Sequence, residues 1–311
     1  MKVGHLKLLY NLLHLIYHKK VSIPRRASPI ITRLRGIFHR VVLLRVAYWY
    51  GRYCDYRGIA LPYLENLDIC FLPFNTLLKL SSRVREDEAL ALSLARSLGL
   101  PVPRLISYGH NGSVDGGSIW MTRIDGELLS QVWQNLSDGD KAVIVDEIDQ
   151  CLRRLREFPN PDGHFISSLT GSHINSFRAA AGRILPASNE SDFLHNLMAA
   201  RDRNLFKEAK FVADSAKIEQ ILEIPHSIIL CHGDLFRHNI LVKDGHLTGI
   251  IDWECAGWLP EYWDYTTMTV RGYGAKLDWN TRISSTPGFR YAKELESDFT
   301  LVRATEVSFP R

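Results

Sequence analysis

Between residues 230 and 242 the chain reads "LCHGDLFRHNILV", and "IIDWE" follows at 250–254. His232, Asp234, Arg237, His238 and Asn239 fall within one short apolar-flanked stretch. A carboxylate at Asp234 can accept the proton of an attacking hydroxyl. The amide oxygen of Asn239 and the carboxylate of Asp252 make a hard-oxygen pair, which suits Mg²⁺ far better than zinc. Positioning a nucleophile while a metal offsets phosphate charge is what phosphoryl transfer needs. The bland alternative is a polar turn between two buried strands.

Several elements must bring these groups together. The strand "SIILC" leads into the loop, where Gly233 permits a tight bend. "ILVKDGHLTGII" reads as a hairpin turned at Asp244–Gly245, which sets residues 250–252 opposite Asn239 and returns Asp252 to its neighbourhood. Upstream, "ENLDICFLPFNTLLKL" predicts one or two strands ending near Lys79. A helix follows in "SSRVREDEALALSLARSLG", capped by Ser81 or Ser82 and ended by Gly99 and Pro101. "VPRLISYG" and "GSIWMTRI" form a hairpin pair. "DGELLSQVW" turns into a helix, and an amphipathic helix over "SDGDKAVIVDEIDQCLRRLREF" stops at Pro159. Residues 160–225 read as a helical insert, and the end after Pro260 as largely helical. Helices over 5–18 and 34–50 are separated by the breaker-rich "SIPRRASPI". Strands first and helices afterwards indicate an α+β chain of two lobes. The expected division is an extension at 1–60, a small sheet lobe at 61–122 and a mostly helical lobe at 123–311.

Apolar content of 46% and charged content of 23% are those of a globular protein. Five scattered cysteines without a CxxC pair exclude a disulfide framework and fit a reducing compartment, the cytoplasm. The net charge of +4 is uneven: residues 1–60 carry twelve Lys/Arg against one acid, Asp55, and the remainder is acidic. This basic, aromatic-rich extension either makes peripheral contact with an anionic membrane or packs on the main body with its arginine stems over apolar surface. Nothing suggests a nucleic-acid partner, and the oligomeric state is not encoded in any motif.

"HGDLFRHN" followed by "IIDWE" resembles the H-G-D-x-x-x-x-N and I-D-x-x signature of the aminoglycoside phosphotransferase and choline kinase-like superfamily. The wider match, through "LPVPRLISYG", "WMTRIDGELL" and "AGWLPEYWDY", is most similar to fungal aminoglycoside-phosphotransferase-domain proteins and covers about residues 68–270. The resemblance implies a two-lobed protein-kinase-like fold and an ATP- and Mg²⁺-dependent kinase acting on a small-molecule hydroxyl. It implies Asp234 as catalytic base, His232 as a brace of the loop, and Asn239 and Asp252 as metal ligands. Lys79 would hold the nucleotide phosphates, paired with Glu88 (Glu86 competing), and Met121, Arg123 and Ile124 would lie in the hinge that binds adenine. Arg237 either approaches the transferring phosphate or faces a structural carboxylate such as Asp264.

Some residues take ordinary readings. His238 and His246 read as turn and surface groups, Trp253, Trp258 and Trp263 as core, Asp264 as an anchor of the helical lobe, and Glu254 as a supporting neighbour of Asp252. "DICFLPFNTLL" holds no glycine where a flexible phosphate cradle is expected before Lys79. A catalytically weak, pseudokinase-like nucleotide-binding module is therefore the alternative reading.

Overall fold

The computed structural model describes residues 22–61, 68–112, 116–179, 182–199, 217–270, 277–286, 288 and 291–305. The helix expected over 5–18 lies outside them.

A long helix opens the described chain: α1 (Pro29–Phe38), a π-helical turn (His39–Leu43) and α2 (Leu44–Arg57). It begins earlier than the reading of 34–50. Ser28 caps it, accepting from the Ile31 N–H, and Pro29 sits in the first turn, so the supposed breaker is a starter. Gly58, in the left-handed conformation, ends it.

The sheet lobe follows with β1 (Ile69–Leu72), β2 (Thr76–Ser81), α3 (Glu86–Ser97), β3 (Leu105–His110) and β4 (Gly117–Thr122). Its antiparallel order is β1-β2-β4-β3. The start of α3 corrects the expected cap: Ser81 ends β2 and Arg85 holds the cap position without a side-chain bond. Glu86, Asp87 and Glu88 instead place acids in the first turn, where the helix dipole favours them. Alternation along β2 splits the sheet faces. Leu78 packs with Leu43 and Leu72 beneath the long helix, while Lys79 turns to the other face. The helix lies close to β3 because Gly36 has no side chain; a Cβ there would strike the His110 carbonyl.

Beyond Thr122 the strand β5 (Glu127–Leu128) pairs with β9 (Ile240–Lys243), which pairs with β10 (His246–Ile250). The amphipathic helix α4 (Asp138–Arg156), N-capped by Ser137, packs against β10 and β8 (Ile228–Cys231). Within 160–225 the described residues are only partly helical. They hold a small hairpin, β6 (Ile174–Asn175) with β7 (Arg183–Ile184), before α5 (Glu190–Ala199). Polar "SSLTGSH" favours local side-chain and turn bonds over a helix; the Ser168 hydroxyl bonds both Ser172 and Thr170. β11 (Gly257–Pro260) pairs with β8, and α6 (Trp263–Val270), α7 (Leu277–Ser285) and α8 (Ala292–Thr305) complete the lobe. Trp133, Trp253, Trp258, Trp263 and Trp279 are buried in the main core. Among the described residues no helix is long and apolar enough to cross a membrane.

Candidate active site

The loop after β8 is fixed from three directions. The His232 and Gly233 N–H groups donate to the two oxygens of Asp264 at 2.8 and 2.9 Å. The His232 ring donates from Nε2 to the Ile251 carbonyl (2.9 Å), so Nδ1 is left to accept from the Asp234 N–H (3.3 Å). Gly233 adopts φ +82°, and a Cβ on it would collide with the Cys255 backbone. Only glycine satisfies both conditions.

Asp234 is buried and is held by Asn239, whose Nδ2 donates to the Asp234 carbonyl oxygen (2.9 Å) and to Oδ2 (3.2 Å). With its amide nitrogen engaged there, Asn239 keeps its oxygen for another partner. The Ile251 N–H donates to the Asn239 carbonyl (2.9 Å), so the hairpin return falls within the expected 250–252. Asp252 follows at φ +65°, a left-handed conformation that aspartate tolerates better than most residues.

A second cluster centres on Lys79. Its Nζ lies 2.9 Å from Glu88 Oε1, 2.6 Å from Asp252 Oδ1 and 3.4 Å from Glu254 Oε2. Arg83 closes on Glu254 at 2.8 Å. The competing Glu86 instead pairs with Arg26 at the surface. Burial opposes the charge on Lys79, but the surrounding carboxylates hold its pKa well above the usual lysine value. Burial raises the Glu88 carboxyl to about 7 despite Lys79. It also raises Glu254, with Asp252 adding to the effect. Burial works against ionised Asp252 too, yet contact with Lys79 keeps that group below its ordinary value.

Three carboxylates thus meet one ammonium and one guanidinium, and Glu88 Oε2 is buried without a hydrogen-bond partner. This deficit of positive charge, one residue beyond the Ile251 that bonds the Asn239 carbonyl, fits a divalent cation of the hard kind. Among the described residues no three His, Cys, Asp or Glu groups form an ion cage of their own. Mg²⁺ often takes one or two protein carboxylates and completes its shell with water and substrate phosphates.

In the hinge segment Met121 is buried and Ile124 packs on Gly249 of β10. Arg123 corrects the expectation of an adenine contact. Its N–H donates to the Asn75 carbonyl (2.9 Å), and its own carbonyl accepts from Asn75 Nδ2 (3.3 Å). The same bonds relocate the glycine question. In the β1–β2 pairing, Leu72 faces Thr76 and Ile69 faces Lys79. The turn in "DICFLPFNTLL" therefore lies at the hinge edge, away from Lys79.

Arg237 does not pair with Asp264, one of its two expected positions. Asp264 is occupied by the loop amides, and the buried guanidinium stacks on Phe236 and Trp279 at 5.5 and 5.8 Å. Burial lowers its pKa, with Asp278 as its electrostatic counterweight. Two contributors were read as ordinary: Glu254 is an ion-pair partner of Lys79, and His238 Nε2 reaches Asp234 Oδ2 at 3.3 Å. Four-residue spacing on a tight turn is the signal that links His238 to Asp234.

The sequence pattern of the phosphotransferase enzyme family matches residues 77–293. Aminoglycoside 3'-phosphotransferases of Enterococcus faecalis and Staphylococcus aureus are each 27% identical over 173 residues, or 53% of this chain and 57% of theirs. The chain thus spans just over half the length of these curated relatives. Aminoglycoside phosphotransferase APH(4)-Ia superposes with a TM-score of 0.54 at 13% identity, covering 83% of this chain and 89% of that one. The GDP complex of aminoglycoside 2'-phosphotransferase-IIIa gives 0.55 at 15% identity, covering 84% and 89%. The architecture is therefore the two-lobed α+β fold of kinase type that these enzymes share. From the pattern that runs from β2 through the loop after β8 into the helical lobe, this chain belongs to the phosphotransferase enzyme family.

Proposed function

We propose that this protein is an ATP- and Mg²⁺-dependent kinase that phosphorylates a hydroxyl of a small molecule. The observation that carries the reading is the joining of two clusters through Ile251: its carbonyl accepts from His232, its N–H bonds Asn239, and Asp252 follows on Lys79. Asp234 orients the acceptor hydroxyl and takes its proton. The acceptor oxygen forms the new bond to the γ-phosphorus while the bond to the β–γ bridging oxygen breaks, and ADP leaves with that electron pair. Lys79, steadied by Glu88, holds the nucleotide phosphates. Asn239 and Asp252 would hold Mg²⁺, which supplies positive charge to the phosphate oxygens. His232 braces the loop, and Met121 and Ile124 flank the base. The acceptor is bound by the helical lobe.

Differential scanning fluorimetry with Mg·ATP, followed by an ATP-consumption screen over hydroxylated metabolites, tests this. Mg·ATP should raise Tm, Asp252→Ala should remove that rise, and at least one acceptor should drive turnover. A Tm rise without turnover on any acceptor favours the pseudokinase-like module; no rise at millimolar Mg·ATP overturns nucleotide use.

A further inference from the structure

The outward face of the long helix plays no part in the chemistry above. Thr32, Gly36, His39, Leu43 and Cys54 turn inward and are buried. Facing away from the sheet, Leu34, Ile37, Val41, Trp49, Tyr53 and Tyr56 are 45–86% exposed. Most of the exposed large hydrophobic side chains among the described residues belong to this helix. Arg33, Arg35, Arg40, Arg45, Arg52 and Arg57 stand exposed among them, and Asp55 is the one acid between residues 22 and 61. The β1–β2 turn extends the patch with Phe74, 95% exposed. An open groove of about 500 Å³ lies between that turn and the helix, lined by Val41, Val42, Arg45, Trp49 and Pro73.

We propose that this face docks on the surface of an anionic lipid bilayer. The aliphatic and aromatic side chains enter the headgroup–acyl boundary, and the arginines bond the lipid phosphates. A helix with an apolar face set among cations has the makeup of an in-plane membrane helix. Charge separates this occupant from the two that the chain itself could offer. Residues 1–21 hold four lysines and no acid, so they would bring like charge onto the arginines. A second copy meeting this face by two-fold symmetry would set the same arginines against each other. The acidic remainder of the chain is repelled by the lipid surface that attracts the extension, which orients the molecule with this helix down. Lys79 occupies the opposite face of the sheet, so docking leaves the cleft clear.

Trp49 makes the test direct: all seven tryptophans are described, and it alone is exposed. The full chain is mixed with phosphatidylcholine vesicles, with and without phosphatidylserine, carrying brominated acyl chains. With phosphatidylserine, Trp49 emission should shift to the blue and be quenched, and the effect should fade toward about 1 M salt. Trp49→Phe should remove the signal while leaving co-sedimentation largely intact. Val41→Glu combined with Arg45→Glu, both at exposed positions, should cut co-sedimentation about tenfold or more with Tm unchanged. Absence of phosphatidylserine-dependent pelleting overturns the proposal. So does a Trp49 already shielded from aqueous iodide in the lipid-free monomer, which would place residues 1–21 over the face. Lipid-free self-association lost in the same double variant would assign the face to a second copy.

Discussion

The loop at 232–239 and the cluster around Lys79 flank the same residue, Ile251, yet their polar groups are settled differently. At the start of the loop, over His232–Asp234, donors and acceptors match: two amides meet one carboxylate at Asp264, and the His232 ring has a distinct partner at each nitrogen. Around Lys79, carboxylates outnumber cations and one Glu88 oxygen goes without a hydrogen bond. A satisfied polar network is rigid, whereas an undercompensated one stores a demand for charge. The start of the loop is therefore a settled scaffold, and the cluster is what the cation and phosphate chain proposed above would complete.

Substitutions can break or sharpen this contrast. The largest effect is expected from Asp234→Asn: turnover with the true acceptor should fall about 10²–10⁴-fold while the Mg·ATP thermal shift persists. Retained turnover would remove Asp234 as the base. Gly233→Ala should cost at least about 2 kcal/mol in urea denaturation, since left-handed strain adds to the clash with Cys255. A stability close to wild type would show that the loop can yield.

Glu88→Gln probes the cluster. Burial carries the Glu88 carboxyl from 4.5 to about 7, so between those values the folded chain keeps a proton that the unfolded chain has released. Its stabilising contribution is complete below about pH 4.5 and is lost as pH rises through about 7. Without Mg²⁺ or nucleotide, Glu88→Gln should flatten this part of the Tm–pH curve. Parallel curves for the two proteins would count against the charge deficit. His238→Ala should matter least, at under about 1 kcal/mol, because the ring is half-exposed. A larger loss in kcat would make His238 part of the scaffold.

Much of this arrangement is legible in residue order. The Asp–Gly turn fixes hairpin length, so the return near Asn239 follows from counting, and the short turn 82–85 between strand and helix brings Lys79 to Glu88 nine residues later. Side-chain direction on tight turns is less legible. The 3-10 turn Arg237–Asn239 sends Arg237 into the aromatic layer and His238 toward Asp234, a choice set by Trp279 from distant α7. Ser81 is a sound capping residue in isolation, but sheet pairing with Gly117 holds it in β2. The polar stretch after Pro159 lacks a helical stripe, and it is held by tertiary neighbours such as Trp258, which bridges Ser167.

The bonds between Asn75 and Arg123 have a mechanical consequence. They fasten the chain to the sheet lobe up to Arg123, while Glu127 is fastened to Val242 in the helical lobe. Torsion between the lobes is thereby concentrated in Ile124, Asp125 and Gly126, with Gly126 at φ +140° and Asp125 leashed to Lys243 at 2.6 Å. The edge near Asn75 thus lies at the pivot, and at the far end of β2 the ion pairs of Lys79 with Asp252 and Glu254 join the lobes a second time.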